Sequence, residues 1–150
     1  MKPTASKTKS TFAMQYAVSI SINAPAEKIW GLLTDAANYP NWNSTVSKVE
    51  GQIVQGEQIK VFAKISPDRA FPVSVSELTA PQKMVWSGGM PLGLFKGIRT
   101  FTLTPKDGAI EMSMKEDFGG LMLPLISMSM PDLRPAFEDF AADLKKAAES

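Results

Sequence analysis

Arg99 and Glu116 fall on one face of two consecutive alternating segments, Gly97 to Thr104 and Ala109 to Phe118, whose other members on that face are apolar. The run Pro105-Lys106-Asp107-Gly108 between them is a hairpin signal. Pairing Thr104 with Ala109 puts Gly97, Arg99, Phe101 and Leu103 opposite Ile110, Met112, Met114 and Glu116. The threonines, Ser113, Lys115 and Asp117 take the other, solvated face. In that register Arg99 and Glu116 are diagonal neighbours within reach of each other. Three roles are open to them. They form a structural ion pair, because inward charges require partners; or they anchor the head group of an apolar ligand; or they do acid–base work.

What the chain lacks narrows its chemistry further. It holds neither histidine nor cysteine. That excludes Ser-His-Asp and Cys-His nucleophiles, disulfides, and zinc or di-iron sites built on those ligands. Proton transfer falls to Asp, Glu, Lys, Tyr or water. On the inward face the catalytic candidates reduce to Glu116, Arg99 and Tyr39, a thin set, and binding is favoured over catalysis. No metal and no cofactor are expected. A formal charge of +1 offers no basic face for phosphates, so nucleic acid is not an expected partner. The longest apolar stretch, Gly119 to Met130, falls short of the ~20 residues of a membrane span and carries two serines.

The elements that must position these groups follow from periodicity. Residues 1–13 are rich in Ser, Thr and Lys and form an expected disordered tail ahead of a single domain, 14–150. No secretory signal is legible, so the expected compartment is the cytoplasm. "MQYAVSISI" alternates as a half-buried strand. Pro25 and Glu27 then open a short helix with Ile29, Leu32, Leu33 and Ala36 on one face and Trp30 beside them. Pro40 ends the helical run, leaving Tyr39 and Trp42 on the turn beyond it, as core or as cavity wall. Strands are expected at Val46–Val54, Gln58–Ile65, Phe71–Leu78 and Lys83–Ser87, followed by a glycine-rich loop, "SGGMPLGLFKG". The last segment is an amphipathic helix with Leu133, Phe137, Phe140, Ala141 and Leu144 in one stripe.

This order of elements resembles the SRPBCC superfamily, the START and birch-pollen-allergen-like group, and within it the polyketide cyclase/dehydrase-like subset. "SINAPAEKIWGLLTDAANYPNW" is similar to the family's opening; "GIRTFTLTPKDG" and "MKEDFGGLMLPL" are similar to its last hairpin and the glycine lead into its final helix. The resemblance implies an α+β helix-grip fold: a curved antiparallel sheet of about six to seven strands around a long C-terminal helix, with two short helices after the first strand. It implies a cavity between sheet and helix. The function expected is binding or carriage of a small hydrophobic ligand (lipid, polyketide or isoprenoid-like), with a polyketide cyclase/dehydratase-type enzyme as the alternative. Residues expected to line the cavity are Tyr39, Trp42, Phe71, Val73, Trp86, Met90, Leu92, Phe95, Arg99, Phe101, Met112, Met114, Glu116, Met130 and Phe137. Nine methionines suit an adaptable apolar wall, and the Met-Pro-Leu-Gly stretch, flanked by Gly88, Gly89 and Gly93, is placed to act as a lid. The small molecule is the expected partner of a monomer or homodimer.

Overall fold

The computed structural model describes residues 3–66 and 68–150. Eight strands form one antiparallel sheet: β1 (Ser6–Lys9), β2 (Ala13–Ile22), β3 (Val46–Glu50), β4 (Gln58–Ala63), β5 (Ala70–Thr79), β6 (Lys83–Met90), β7 (Phe95–Lys106) and β8 (Ala109–Gly119). Their order across the sheet is β1-β2-β8-β7-β6-β5-β4-β3. The helices are α1 (Ala26–Thr34), α2 (Tyr39–Trp42), α3 (Leu123–Ser127) and the long α4 (Arg134–Glu149). Helix α4 crosses the concave face, packing mainly on β2. The expected helix-grip α+β architecture is the one observed, with one strand more than the upper expectation. Among the described residues no helix is long and apolar enough to cross a membrane.

Local chemistry accounts for the elements. Pro135 occupies the first turn of α4, where a missing N–H costs nothing. The helix buries Phe137, Phe140, Ala141, Leu144 and Ala148, an i, i+3, i+4, i+7 stripe continued by one more turn. Strand β2 buries Met14, Tyr16, Val18 and Ile22 inward, the period-2 pattern of a sheet with one wet face.

Four expectations are corrected. The extra strand is β1, inside the segment expected to be a disordered tail. It pairs with β2 from Ser6↔Ala17 to Lys9↔Met14, and Ala5 is buried with its N–H donated to Glu138 Oε2. Composition signals solvation correctly, since all four β1 residues are exposed, but an edge strand needs only backbone partners.

The β7–β8 register is displaced two residues from the expected one, with Lys106↔Ala109, Thr104↔Glu111 and Arg99↔Glu116. The turn is only Asp107-Gly108, both at positive φ (53° and 79°), which matches the twist of the flanking strands. A two-residue slip preserves parity, so the inward set is unchanged.

Pro40 does not end helical structure: it lies in the first turn of α2, which carries Tyr39 and Trp42. Finally, the glycine-rich stretch is mostly strand. Gly88 pairs with Gly97, Gly89 with Lys96 and Met90 with Phe95, leaving residues 91–94 as the turn. A Cβ on Gly88 would stand 2.8 Å from the Pro72 carbonyl oxygen and one on Gly89 2.3 Å from that of Phe95. These glycines serve close backbone approach rather than lid flexibility.

Gly120 locks the β6–β7 turn to the start of α3. It adopts φ 118°, and a Cβ there would lie 2.5 Å from the Leu94 carbonyl oxygen, which accepts the Met122 N–H at 2.8 Å. Gly120→Ala is expected to destabilise the fold by about 1–3 kcal/mol. Gly93→Ala, with φ 68° but nothing within 4 Å, is expected to cost about 1 kcal/mol. Urea denaturation of the two variants checks the ranking.

Candidate functional site

Five rings fill the middle of the space between sheet and α4. Tyr39 lies 5.0 Å from Trp42, 6.1 Å from Trp86 and 6.5 Å from Phe140, centroid to centroid. Phe101 closes the group, 5.0 Å from Trp86 and 5.8 Å from Phe140. These separations suit edge-to-face and tilted ring packing. The Tyr39 hydroxyl donates to the Leu33 carbonyl at 2.6 Å, and burial pushes its phenol far above the ordinary range, against an opposing pull from the Arg99 charge. Tyr39 is therefore a core residue, neutral and committed. Three buried donors have no partner among the described residues: Trp42 Nε1, Trp86 Nε1 and Asn43 Nδ2. Each such group costs about 1–3 kcal/mol.

Toward the end of the sheet where β6 turns into β7, the inward face becomes polar at one place. Arg99 and Glu116 are directly opposed across β7 and β8. Arg99 Nε and Nη2 both reach Glu116 Oε1, at 2.7 and 2.6 Å. Both side chains are mostly buried, with 24% and 16% of their surface exposed. The guanidinium also lies 5.1 Å from the centre of the Phe137 ring on α4, a cation–π contact that ties the helix to the pair. Glu116 Oε2 accepts no hydrogen bond among the described residues and faces Gly97, 3.5 Å from where a Cβ would stand.

Beyond this pair the apolar wall opens to solvent. Val73, Phe95, Phe118, Met130 and Leu133 are half-buried, while Phe71, Met90 and Leu92 are exposed. Phe118 stacks on Phe95 at 5.9 Å and meets Tyr16 edge-on at 6.3 Å. Two surface clefts are also present, the second of them reaching Phe118. One of about 630 Å³ runs between Asn23-Ala24-Pro25 and the β7–β8 turn; one of about 620 Å³ lies beside the β1–β2 turn. Neither touches Arg99, Glu116 or Trp86, and both are shallow. The apolar wall beside the ion pair is the stronger site, because it joins inward polar groups to exposed apolar surface.

The fifteen expected lining residues thus divide by depth. Tyr39, Trp86, Phe101, Met112, Met114 and Phe137 are buried in ring and side-chain packing. Trp42, Val73, Phe95, Arg99, Glu116 and Met130 are half-buried, and Phe71, Met90 and Leu92 are exposed. Phe71 and Met90 lie at the same end of the sheet, each three residues beyond the Ser74↔Ser87 pair that joins β5 to β6. Trp30 is half-buried against the core, as its stripe implied. The expectation omitted Phe118, Leu133 and the exposed Leu121 and Leu125 of the α3 region. A helical count through "GLMLPLISMSM" would have shown 121, 125 and 128 on one side. No group of three or more carboxylates among the described residues is gathered as a metal site would require.

A family model described as polyketide cyclase / dehydrase and lipid transport matches residues 13–149, and the chain belongs to that family. The SRPBCC resemblance is borne out. Solved structures agree in fold. A protein from Rhodobacter sphaeroides aligns with TM-score 0.69 at 16% identity, over 95% of each chain. The Aha1 dimer of Colwellia psychrerythraea aligns with TM-score 0.69 at 20% identity, over 90% of this chain and 96% of that one. The di-domain ARO/CYC BexL of the BE-7585A biosynthetic pathway aligns with TM-score 0.70 at 12% identity, over 95% of this chain. This chain spans 52% of BexL, about half its length. No curated protein matches.

Arg99→Met leaves the Glu116 carboxylate largely buried without its cation and is expected to destabilise by about 2 kcal/mol. Arg99→Met with Glu116→Leu is expected to recover most of that loss, since two apolar groups replace a desolvated pair. A double-mutant cycle in urea measures it.

Proposed function

We propose that the chain binds and carries a small, largely apolar molecule with one polar end, seated between the β5–β7 end of the sheet and the N-terminal half of α4. The observation that supports this most is the state of the inward polar groups. Arg99 and Glu116 hold each other, and the Tyr39 hydroxyl is committed to Leu33. An apolar wall with few, pre-placed polar groups is what an orienting pocket needs; a general acid or base would need a group free to reach the substrate. Arg99 would take the ligand's polar end, sharing its donors between that end and Glu116. The unpartnered indole of Trp86, on the residue paired with Arg99 in β6, offers a second donor to a ligand oxygen. Deeper seating would require the aromatic rings to rearrange.

A second reading is a cyclase/dehydratase-type enzyme using the same wall. Glu116 Oε2, without a hydrogen bond among the described residues, favours it, as does the family's description. In that case Glu116 is the residue that touches substrate. The working setting of either reading is a cytoplasmic monomer or homodimer.

Native mass spectrometry of the purified protein, with organic extraction, tests the first reading. A co-purified hydrophobic species near one-to-one stoichiometry is the expected result. An empty protein that also fails to take up a panel of lipids and polyketides overturns it. Arg99→Ala is expected to weaken binding of a long-chain carboxylate by about tenfold while leaving the matching hydrocarbon unchanged. Turnover of a polyketide abolished by Glu116→Gln, with binding retained, would instead select the enzyme.

A further inference from the structure

The exposed apolar side chains are confined almost entirely to one end of the molecule. Nine large apolar residues are exposed among those described, and all but Val54 lie at the end where β1–β2, β4–β5 and β6–β7 turn and α3 begins. Leu92 forms the tip of the β6–β7 turn and is 93% exposed; Leu121, Leu125 and Met128 are 69%, 63% and 83% exposed. The last three sit at i, i+4 and i+7, on one side of the α3 region, while Leu123 points inward and is fully buried. Backbone hydrogen bonds from Leu121 to Gly93 (3.4 Å) and from Met122 to Leu94 (2.8 Å) hold this helical turn against the β6–β7 turn. Leu92 and the α3 stripe are therefore held side by side. Exposure on this scale marks a contact surface rather than scatter.

Charge separates the two ends as well. Around the apolar end stand Lys9, Lys64, Arg69 and Lys96, all exposed. Asp68 and Asp117 are the acids near them, and Asp117 accepts from Gln15. Arg134 and Asp132 cancel each other at 2.6 Å; the hydrogen bond from the Arg134 side chain holds the Asp132 carboxyl down to about 2, so it stays ionised. Lys9, Lys64 and Lys96 have no ion pair among the described residues. At the opposite end, Lys83, Lys106 and Lys145 are each matched by a carboxylate, Glu77, Glu111 and Glu149, and on β3 Lys48 is matched by Glu50.

We propose that this end docks on an anionic lipid surface, with Leu92 and the Leu121–Leu125–Met128 stripe entering the acyl boundary and the unpaired lysines lying over the headgroups. Apolar insertion and basic attraction together are what interfacial attachment requires. A second copy of the chain is a poor occupant, because apposing two such ends sets Lys64 and Lys96 against like charge. The docking goes beyond ligand binding and holds for empty protein too. It would also place the Phe71–Met90 opening against the bilayer, where an apolar molecule could pass without crossing water.

Flotation of the purified chain with vesicles tests this. Phosphatidylcholine vesicles containing a quarter phosphatidylglycerol are expected to retain the protein, and pure phosphatidylcholine to retain much less. Leu92→Glu and Leu125→Glu are each expected to lower the partition coefficient about tenfold or more, and Lys96→Glu to do so on the anionic vesicles. Val54→Glu, at the opposite end, is the control and is expected to change nothing. All four positions are exposed, so the variants retain the fold. Failure to float with anionic vesicles overturns the proposal, as does flotation indifferent to both leucine substitutions. Self-association in solution that Leu92→Glu abolishes also overturns it and assigns the face to a second copy.

Discussion

Ring packing around Tyr39 is the constraint on which the rest of the structure depends. Trp42 from α2, Trp86 and Phe101 from the sheet and Phe140 from α4 all meet there, so three elements far apart in sequence share one centre. The hydroxyl of Tyr39 closes back on Leu33 at the end of α1, which sets the angle at which α2 leaves α1. With the middle of the space between sheet and helix filled by rings, exposed apolar surface gathers mainly toward the β6–β7 end. The position of the site follows from where the core stops.

At that boundary the Arg99–Glu116 pair does two things. It neutralises two inward charges that would each be costly alone, and through Phe137 it ties α4 to β7 and β8. Because both Arg99 nitrogens converge on one oxygen, the pair keeps hydrogen-bonding capacity in reserve on the other. Structural and ligand-anchoring roles are compatible here, since a guanidinium has five donors and uses two of them on the carboxylate.

The molecule is also polarised end to end. Three lysine–carboxylate pairs decorate the end that carries the β7–β8 turn, whereas the β6–β7 end presents unpaired bases among exposed leucines and methionines. A surface of the first kind is kept in water by hydration of balanced charge. One of the second kind leaves apolar area in contact with water, which favours covering it with another surface.

Periodicity and turn chemistry alone determined the order of strands and helices, the long final helix and the inward set of β7 and β8. Those depend on spacings of 2 and 3.6 residues, and the parity of β7 and β8 survived even a two-residue error in register. The same spacing placed Arg99 and Glu116 on the inward face. It did not reveal that they are direct partners, because that rests on the positive φ of both turn residues. Nor did it separate Tyr39 and Trp86, which the fold buries, from Phe71 and Met90, which it leaves open. All four are large apolar or aromatic residues on inward positions, and only the docking of α4 and α2 decides which of them is covered. Strand β1 was illegible for a related reason: an exposed edge strand makes its contacts through the backbone, which every sequence shares. The gathering of Leu92 with the α3 stripe is likewise tertiary, since two backbone hydrogen bonds join segments almost thirty residues apart.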